Sequence, residues 1–139
     1  MKTLSTLIVL GLSILFTNAQ ETGNSKTITV TIENITNNNG HVLLALHTEN
    51  TFMKGNGIQT QESKIIDGKI TVTFENVKVG SYAIMALHDE NDNKTMDFSE
   101  SGMPKESYGM SNNPAGFGPP QFATAKFDLK EDLDLKIIF

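Results

Sequence analysis

Between His88 and Glu100 the chain reads HDENDNKTMDFSE, five carboxylates in thirteen residues, directly after the apolar run YAIMAL. Carboxylates and side-chain amides are hard oxygen donors, so a cluster of this kind suits a hard cation. Counted from Asp89, oxygen-bearing residues fall at positions 1 (Asp89), 3 (Asn91), 5 (Asn93), 7 (Thr95), 9 (Asp97) and 12 (Glu100). That is the spacing of a twelve-residue calcium loop, in which position 7 contributes its main-chain carbonyl. The spacing predicts Ca²⁺ held by these six residues, with the apolar Met96 tying the loop to the core. Two features depart from the pattern. Lys94 stands at position 6, where such loops turn sharply on glycine; a left-handed non-glycine residue costs roughly 1–2 kcal/mol, and an ammonium near the ion opposes binding. A strand, not a helix, also leads into the loop. The competing expectation is a hydrated turn whose charges are kept apart by solvent.

Other chemistry is thinner. His47 and His88 each end an ALH run, and with His41 they supply three imidazoles, enough in number for zinc. No segment has ligand spacing, and strand-end histidines bonded to a neighbouring loop are the commoner arrangement. ALHTEN (Ala45 to Asn50) is echoed by ALHDEN (Ala86 to Asn91), but the first copy runs on into TFMKGNG without an acidic series. A nucleophile elbow and a glycine-rich phosphate loop are both absent from the sequence, so no enzyme is expected. The alternative enzymatic or accessory reading would require His88, Asp89 and Glu106 to converge within hydrogen-bond reach.

Short strands separated by turns must position the loop. KTITVTIEN (Lys26 to Asn34) alternates, with Ile28, Val30 and Ile32 on one face. Thr36 to Gly40 is turn chemistry, and HVLLALH (His41 to His47) is an apolar strand before a loop over Thr48 to Gly57. SKIIDGKITVTFENV (Ser63 to Val77) predicts a hairpin about Asp67-Gly68, and Gly80 opens the strand that ends at the acidic loop. Ser99 to Gln121 holds all four prolines and a cluster of glycines, so a long irregular excursion is expected. Within it, Met103, Tyr108, Met110, Phe117 and the following Phe122 are the apolar residues of a lid, or of a loop that binds a ligand or partner on a rigid scaffold. ATAKFDL (Ala123 to Leu129) and LDLKIIF (Leu133 to Phe139) are the last two strands. The pattern predicts an all-β fold, an antiparallel β-sandwich of about seven strands, immunoglobulin- or transthyretin-like. The alternating C-terminus also fits the last strand of an outer-membrane barrel, but the other strands are too few and too short.

Residues 1–19 read as a secretory leader: Lys2, the apolar run Leu4 to Phe16, and small residues Thr17 and Ala19 before Gln20. The run is too short to span a bilayer. Residues 20–139 then form a single domain that is not membrane-spanning after cleavage, exported to the periplasm or extracellular space. With no cysteine and no arginine, the chain has neither a disulfide framework nor a lipid-modified cysteine. Ten lysines against sixteen carboxylates past the leader leave a net charge of −6, which disfavours nucleic acid and anionic membranes. A cation, a small uncharged ligand or an envelope protein is the expected partner.

The motifs G-x-Y-A (from Gly80), H-D-x-N-x-N (from His88), G-x-P-x-E-x-Y-G-x-S-N (from Gly102) and G-P-P-x-F-x-x-A (from Gly118) resemble the bacterial exported family known as domain of unknown function 2141. The resemblance covers essentially residues 20–139 and implies export and a transthyretin- or carboxypeptidase-regulatory-type β-sandwich. It implies no activity. The Gly80-to-Asn93 segment is also similar to the strand and calcium loop of bacterial surface B-type repeats.

Overall fold

The computed structural model describes residues 24–116 and 118–139. The expected leader and Phe117 lie outside the described residues. Eight strands form two sheets: β1 (Ser25–Ile32), β2 (His41–His47), β3 (Gln59–Lys64), β4 (Ile70–Lys78), β5 (Gly80–Asp89), β6 (Tyr108–Met110), β7 (Phe127–Leu129) and β8 (Leu133–Ile137). One helical turn, α1 (Phe122–Ala125), precedes β7. The smaller sheet has the order β4-β1-β8; the larger runs β3-β2-β5-β6, with β7 pairing β5 further along. No helix among the described residues is long and apolar enough to cross a membrane.

The sandwich follows from alternation. Ile28, Val30 and Ile32 of β1 face Val42, Leu44 and Leu46 of β2 and Ile84 and Ala86 of β5, all 3 % exposed or less. Phe74, Leu129 and Ile137 complete the same core. These side chains are mostly β-branched and aliphatic, which suits a pleated, fully dry surface.

Several expectations are corrected in detail. Asp67 and Gly68 do form the two-residue turn, at φ 51 and 70, with Ile66 and Lys69 bonded to each other in both directions at 3.1 Å. The arms beyond it part company, because Ile65 turns into the core while Ile66 is 72 % exposed. As a result β3 and β4 belong to different sheets. Nor is every pairing antiparallel: β8 runs parallel to β1, with Val30 opposite Leu135. The irregular excursion contains β6, and Phe122 to Ala125 just after it coil into α1, so that the strand expected over Ala123 to Leu129 is reduced to β7.

Two ties hold β8 to this edge. Thr27 donates its N–H to Asp132 Oδ1 at 2.9 Å. Glu33 accepts from both Lys136 and Lys69, and these ammonium groups, Lys136 foremost, lower its pKa to about 2.

Candidate functional site

β5 delivers Asp89 as its last residue, fully buried. Its Oδ1 accepts the N–H of Asn93 at 3.1 Å and its Oδ2 the N–H of Lys94 at 2.8 Å. The first carboxylate of the loop thereby gathers the amides of positions 5 and 6 and folds the segment back on itself. Alternate residues repeat the device: Asn91 Oδ1 accepts from Asn93 N at 3.1 Å, and Asn93 Oδ1 accepts from the Thr95 N–H at 3.0 Å and its hydroxyl at 3.1 Å. Side-chain amides and carboxylates compete for local backbone donors in this way wherever the chain leaves regular structure.

These turns bring three side chains together. Asn91 Nδ2 donates to Asp97 Oδ2 at 2.6 Å, and Asn93 Nδ2 to both Asp97 oxygens at 3.1 and 3.2 Å. Asp89, Asn91, Asn93 and Asp97 are thus linked through one small network, with Thr95 inside it. Glu100 is exposed, and no hydrogen bond among the described residues joins it to this network. Among the described residues, no group of three or more His, Cys, Asp or Glu could hold a metal ion. Any cation here must therefore take much of its shell from amide and main-chain oxygens. That is feasible for calcium, since Asn91 Oδ1 accepts only one bond and keeps a lone pair, while Asn93 Oδ1, which accepts twice from Thr95, would exchange one of those bonds for the ion.

Lys94 lies where the spacing requires a sharp turn, and its backbone is left-handed, φ 64. The strain anticipated for a non-glycine residue is present. Its ammonium is not directed at the network: it donates to Glu62 Oε1 on β3 at 2.5 Å, and that bond raises the lysine pKa. Asp92 turns away as well, to His41 Nδ1 at 2.6 Å, and the His41 bond holds its carboxyl below the usual range.

Glu106 is the contributor that loop spacing does not reveal. Buried at 8 % exposure, it accepts the N–H of Glu90 through Oε1 at 3.0 Å and that of Asp97 through Oε2 at 3.1 Å. One carboxylate therefore straps the entry and exit of the loop together. Lys105 adds a main-chain bond to the Asp97 carbonyl at 2.8 Å. In the sequence Glu106 stands out only as the glutamate of the G-x-P-x-E-x-Y-G motif and as a possible partner of His88 and Asp89, neither of which points to a strap.

The histidines do not assemble. Antiparallel pairing sets His41 opposite Asp89 and His47 opposite Ala83, so the two ALH ends lie at opposite ends of the pair. His88 faces the core, donating through Nε2 to the Asn39 carbonyl at 2.9 Å and stacking on Phe139. His47 is buried on the other face, bonded to the Thr51 carbonyl and edge-on to Phe52. His88, Asp89 and Glu106 share no hydrogen bond with one another.

The face of the larger sheet that carries Asp89 also carries Leu43, Ala45, Met85 and Leu87, since residues two apart share a face. These half-buried side chains floor a cleft of about 1090 Å³. Met96 and Phe98 of the acidic loop, Met53 of the β2–β3 connection, and Met103, Tyr108 and Pro119 of the excursion wall it. Among the described residues, Glu62 and Lys94 are its only charged lining residues, and they are paired with each other. The apolar residues of the excursion and the acidic loop thus form a wall with an open interior: Met103 is 65 % exposed, Phe98 56 % and Tyr108 37 %.

No curated protein and no solved structure matches the chain. Residues 30–136 match the family described as "uncharacterized protein conserved in bacteria (DUF2141)". That span runs from within β1 to within β8 and contains both the acidic loop and the cleft, so the chain belongs to this family.

Proposed function

We propose that the protein is an exported, non-enzymatic binding module that takes Ca²⁺ in its acidic loop and an uncharged apolar ligand in the adjoining cleft. Asp89, Asn91, Asn93, Asp97 and the Thr95 carbonyl supply the calcium oxygens, and water completes the shell. Glu106 holds the two ends of the loop together from behind. The observation that carries this reading is a shared segment: the residues that gather around Asp97 continue directly into Met96 and Phe98 of the cleft wall. Ordering the loop on a cation would therefore fix that wall. The mutual pairing of Glu62 and Lys94 leaves the cleft without net charge, which favours a neutral occupant.

Calorimetric titration of calcium into chelator-stripped protein tests the first half, beside an Asp89→Ala/Asp97→Ala variant. The wild type is expected to give a saturable heat and the variant none. No heat at millimolar calcium, or equal heats, sinks the calcium reading. Capture from envelope extract with and without calcium tests the second half. Calcium-dependent retention of an apolar small molecule supports it, whereas retention of a protein alone replaces the ligand with a protein partner. Fractionation of the native host, with N-terminal sequencing, tests export and cleavage before Gln20.

A further inference from the structure

Methionine is distributed unevenly over the fold. Of the five methionines beyond residue 20, four (Met53, Met85, Met96 and Met103) line the one cleft, and Met110 lines the neighbouring depression beneath the excursion. Among the described residues, the core between the sheets contains none. Two of the five are well exposed, Met53 at 58 % and Met103 at 65 %, while Met85, Met96 and Met110 are half-buried. Both exposed residues sit on braced backbone. Met103 closes a tight turn, its carbonyl accepting from Ser99 N at 2.8 Å and its N–H donating to Ser99 Oγ at 3.1 Å. Met53 lies in the Thr48–Lys54 turns, between main-chain bonds from Phe52 to Thr48 and from Lys54 to Thr51. The chain has no cysteine, so thioethers are its only oxidisable sulfur.

We infer that Met53 and Met103 are modification sites, whose oxidation to the sulfoxide by a peroxide-class oxidant closes the cleft to apolar ligands. A thioether lone pair attacks one peroxide oxygen, an S–O bond forms and the O–O bond breaks. Sulfur loses two electrons, and the departing oxygen leaves as water after proton transfer. The flexible apolar side chain becomes a polar one with a strong acceptor, and an apolar occupant would have to bury that acceptor without a partner. Methionine sulfoxide reductases with a thiol donor reverse the step. The ligand half of this inference rests on the cleft reading above; the order of oxidation does not.

The experiment is a graded hydrogen peroxide treatment, followed by peptide mass spectrometry and by titration with the neutral dye Nile red. Met53 and Met103 are expected to gain oxygen before Met85, Met96 and Met110, and dye affinity to fall roughly tenfold. Reductase treatment should restore it. In Met53→Leu/Met103→Leu the ratio of treated to untreated affinity should stay near unity, whatever the variant's starting affinity. Earlier or equal oxidation of the half-buried methionines overturns the site assignment. An unchanged affinity in oxidised wild type, or an equal loss in the leucine variant, overturns the link to the cleft. Failure of the untreated protein to bind dye overturns the cleft reading itself, and the oxidation order still decides the modification sites.

Discussion

The two faces of the β2–β5 pair are built from interleaved residues of the same strands, yet they are different materials. Toward the smaller sheet stand Val42, Leu44, Leu46, Ile84 and Ala86, all essentially dry. On the reverse stand Leu43, Ala45, Met85 and Leu87, half-covered by loops and a methionine-rich wall. Branched side chains with few rotamers give the inner face one packing solution. Unbranched thioethers on the outer face can rearrange around different shapes. One face specifies the fold, and the other is only partly covered, buried at Ala83 and His47 and half-exposed along the cleft floor.

The largest test of this contrast is a truncation on each face. Leu44→Ala should cost about 2–5 kcal/mol in denaturant unfolding, the usual range for a buried leucine. Met85→Ala should cost about 1 kcal/mol or less while weakening Nile red binding. Comparable stability losses from both would show that the outer face is core after all.

At the junction between the faces, Asp89→Ala leaves the Asn93 and Lys94 amides without their shared acceptor. A loss of roughly 1–3 kcal/mol is expected, together with loss of the calcium heat. An unfolding midpoint indistinguishable from wild type would remove Asp89 from the framework of the loop.

Lys94→Gly relieves a left-handed lysine at φ 64 and should stabilise by roughly 1 kcal/mol, partly offset by loss of the exposed Glu62 pair. Calcium affinity should rise with it. Weaker calcium binding in this variant would mean that the lysine supports the site.

The smallest effect is one of pH. Burial depresses the His47 pKa below its ordinary 6.5, outweighing the Thr51 carbonyl bond that raises it. The folded state therefore favours the neutral ring. Its contribution is complete above the unfolded pKa and is lost as pH falls through the folded value. Thermal melts from about pH 8 to about pH 5 should show a decline that His47→Gln flattens. A rise in stability on acidification would reverse the sign of this assignment.

The contrast also explains what the sequence could convey. β2 is found where HVLLALH predicts it, because an apolar run between Asn-Gly turn chemistry and a polar loop has few alternatives. The Asp67-Gly68 turn was equally legible, since it depends on two φ angles. Which sheet each arm joins was not legible, because that is decided by Ile65 finding the core after the turn. Alternation in LDLKIIF reveals the buried face of β8, but it carries no information on whether the neighbouring strand is parallel. β6 and α1 are too short to show any period. In the acidic loop, spacing located the turn at Lys94 and the cluster around Asp97, because those contacts are made within a few residues. The strapping role of Glu106 escaped because its partners are main-chain amides of Glu90 and Asp97, sixteen and nine residues away, and backbone donors leave no mark in a sequence.

The parallel pairing of β8 with β1 bears on when the chain can fold. The central strand of the smaller sheet comes from the beginning of the fold and its neighbour from the end, with Thr27 and Asp132 in contact across 105 positions. A ribosome-bound chain that has not yet released Leu133 to Ile137 cannot complete this sheet, and contacts of such long range form late and slowly. A chain of this topology lacks one edge of its smaller sheet until Leu133 to Ile137 are free, although β1 and β4 can pair before then.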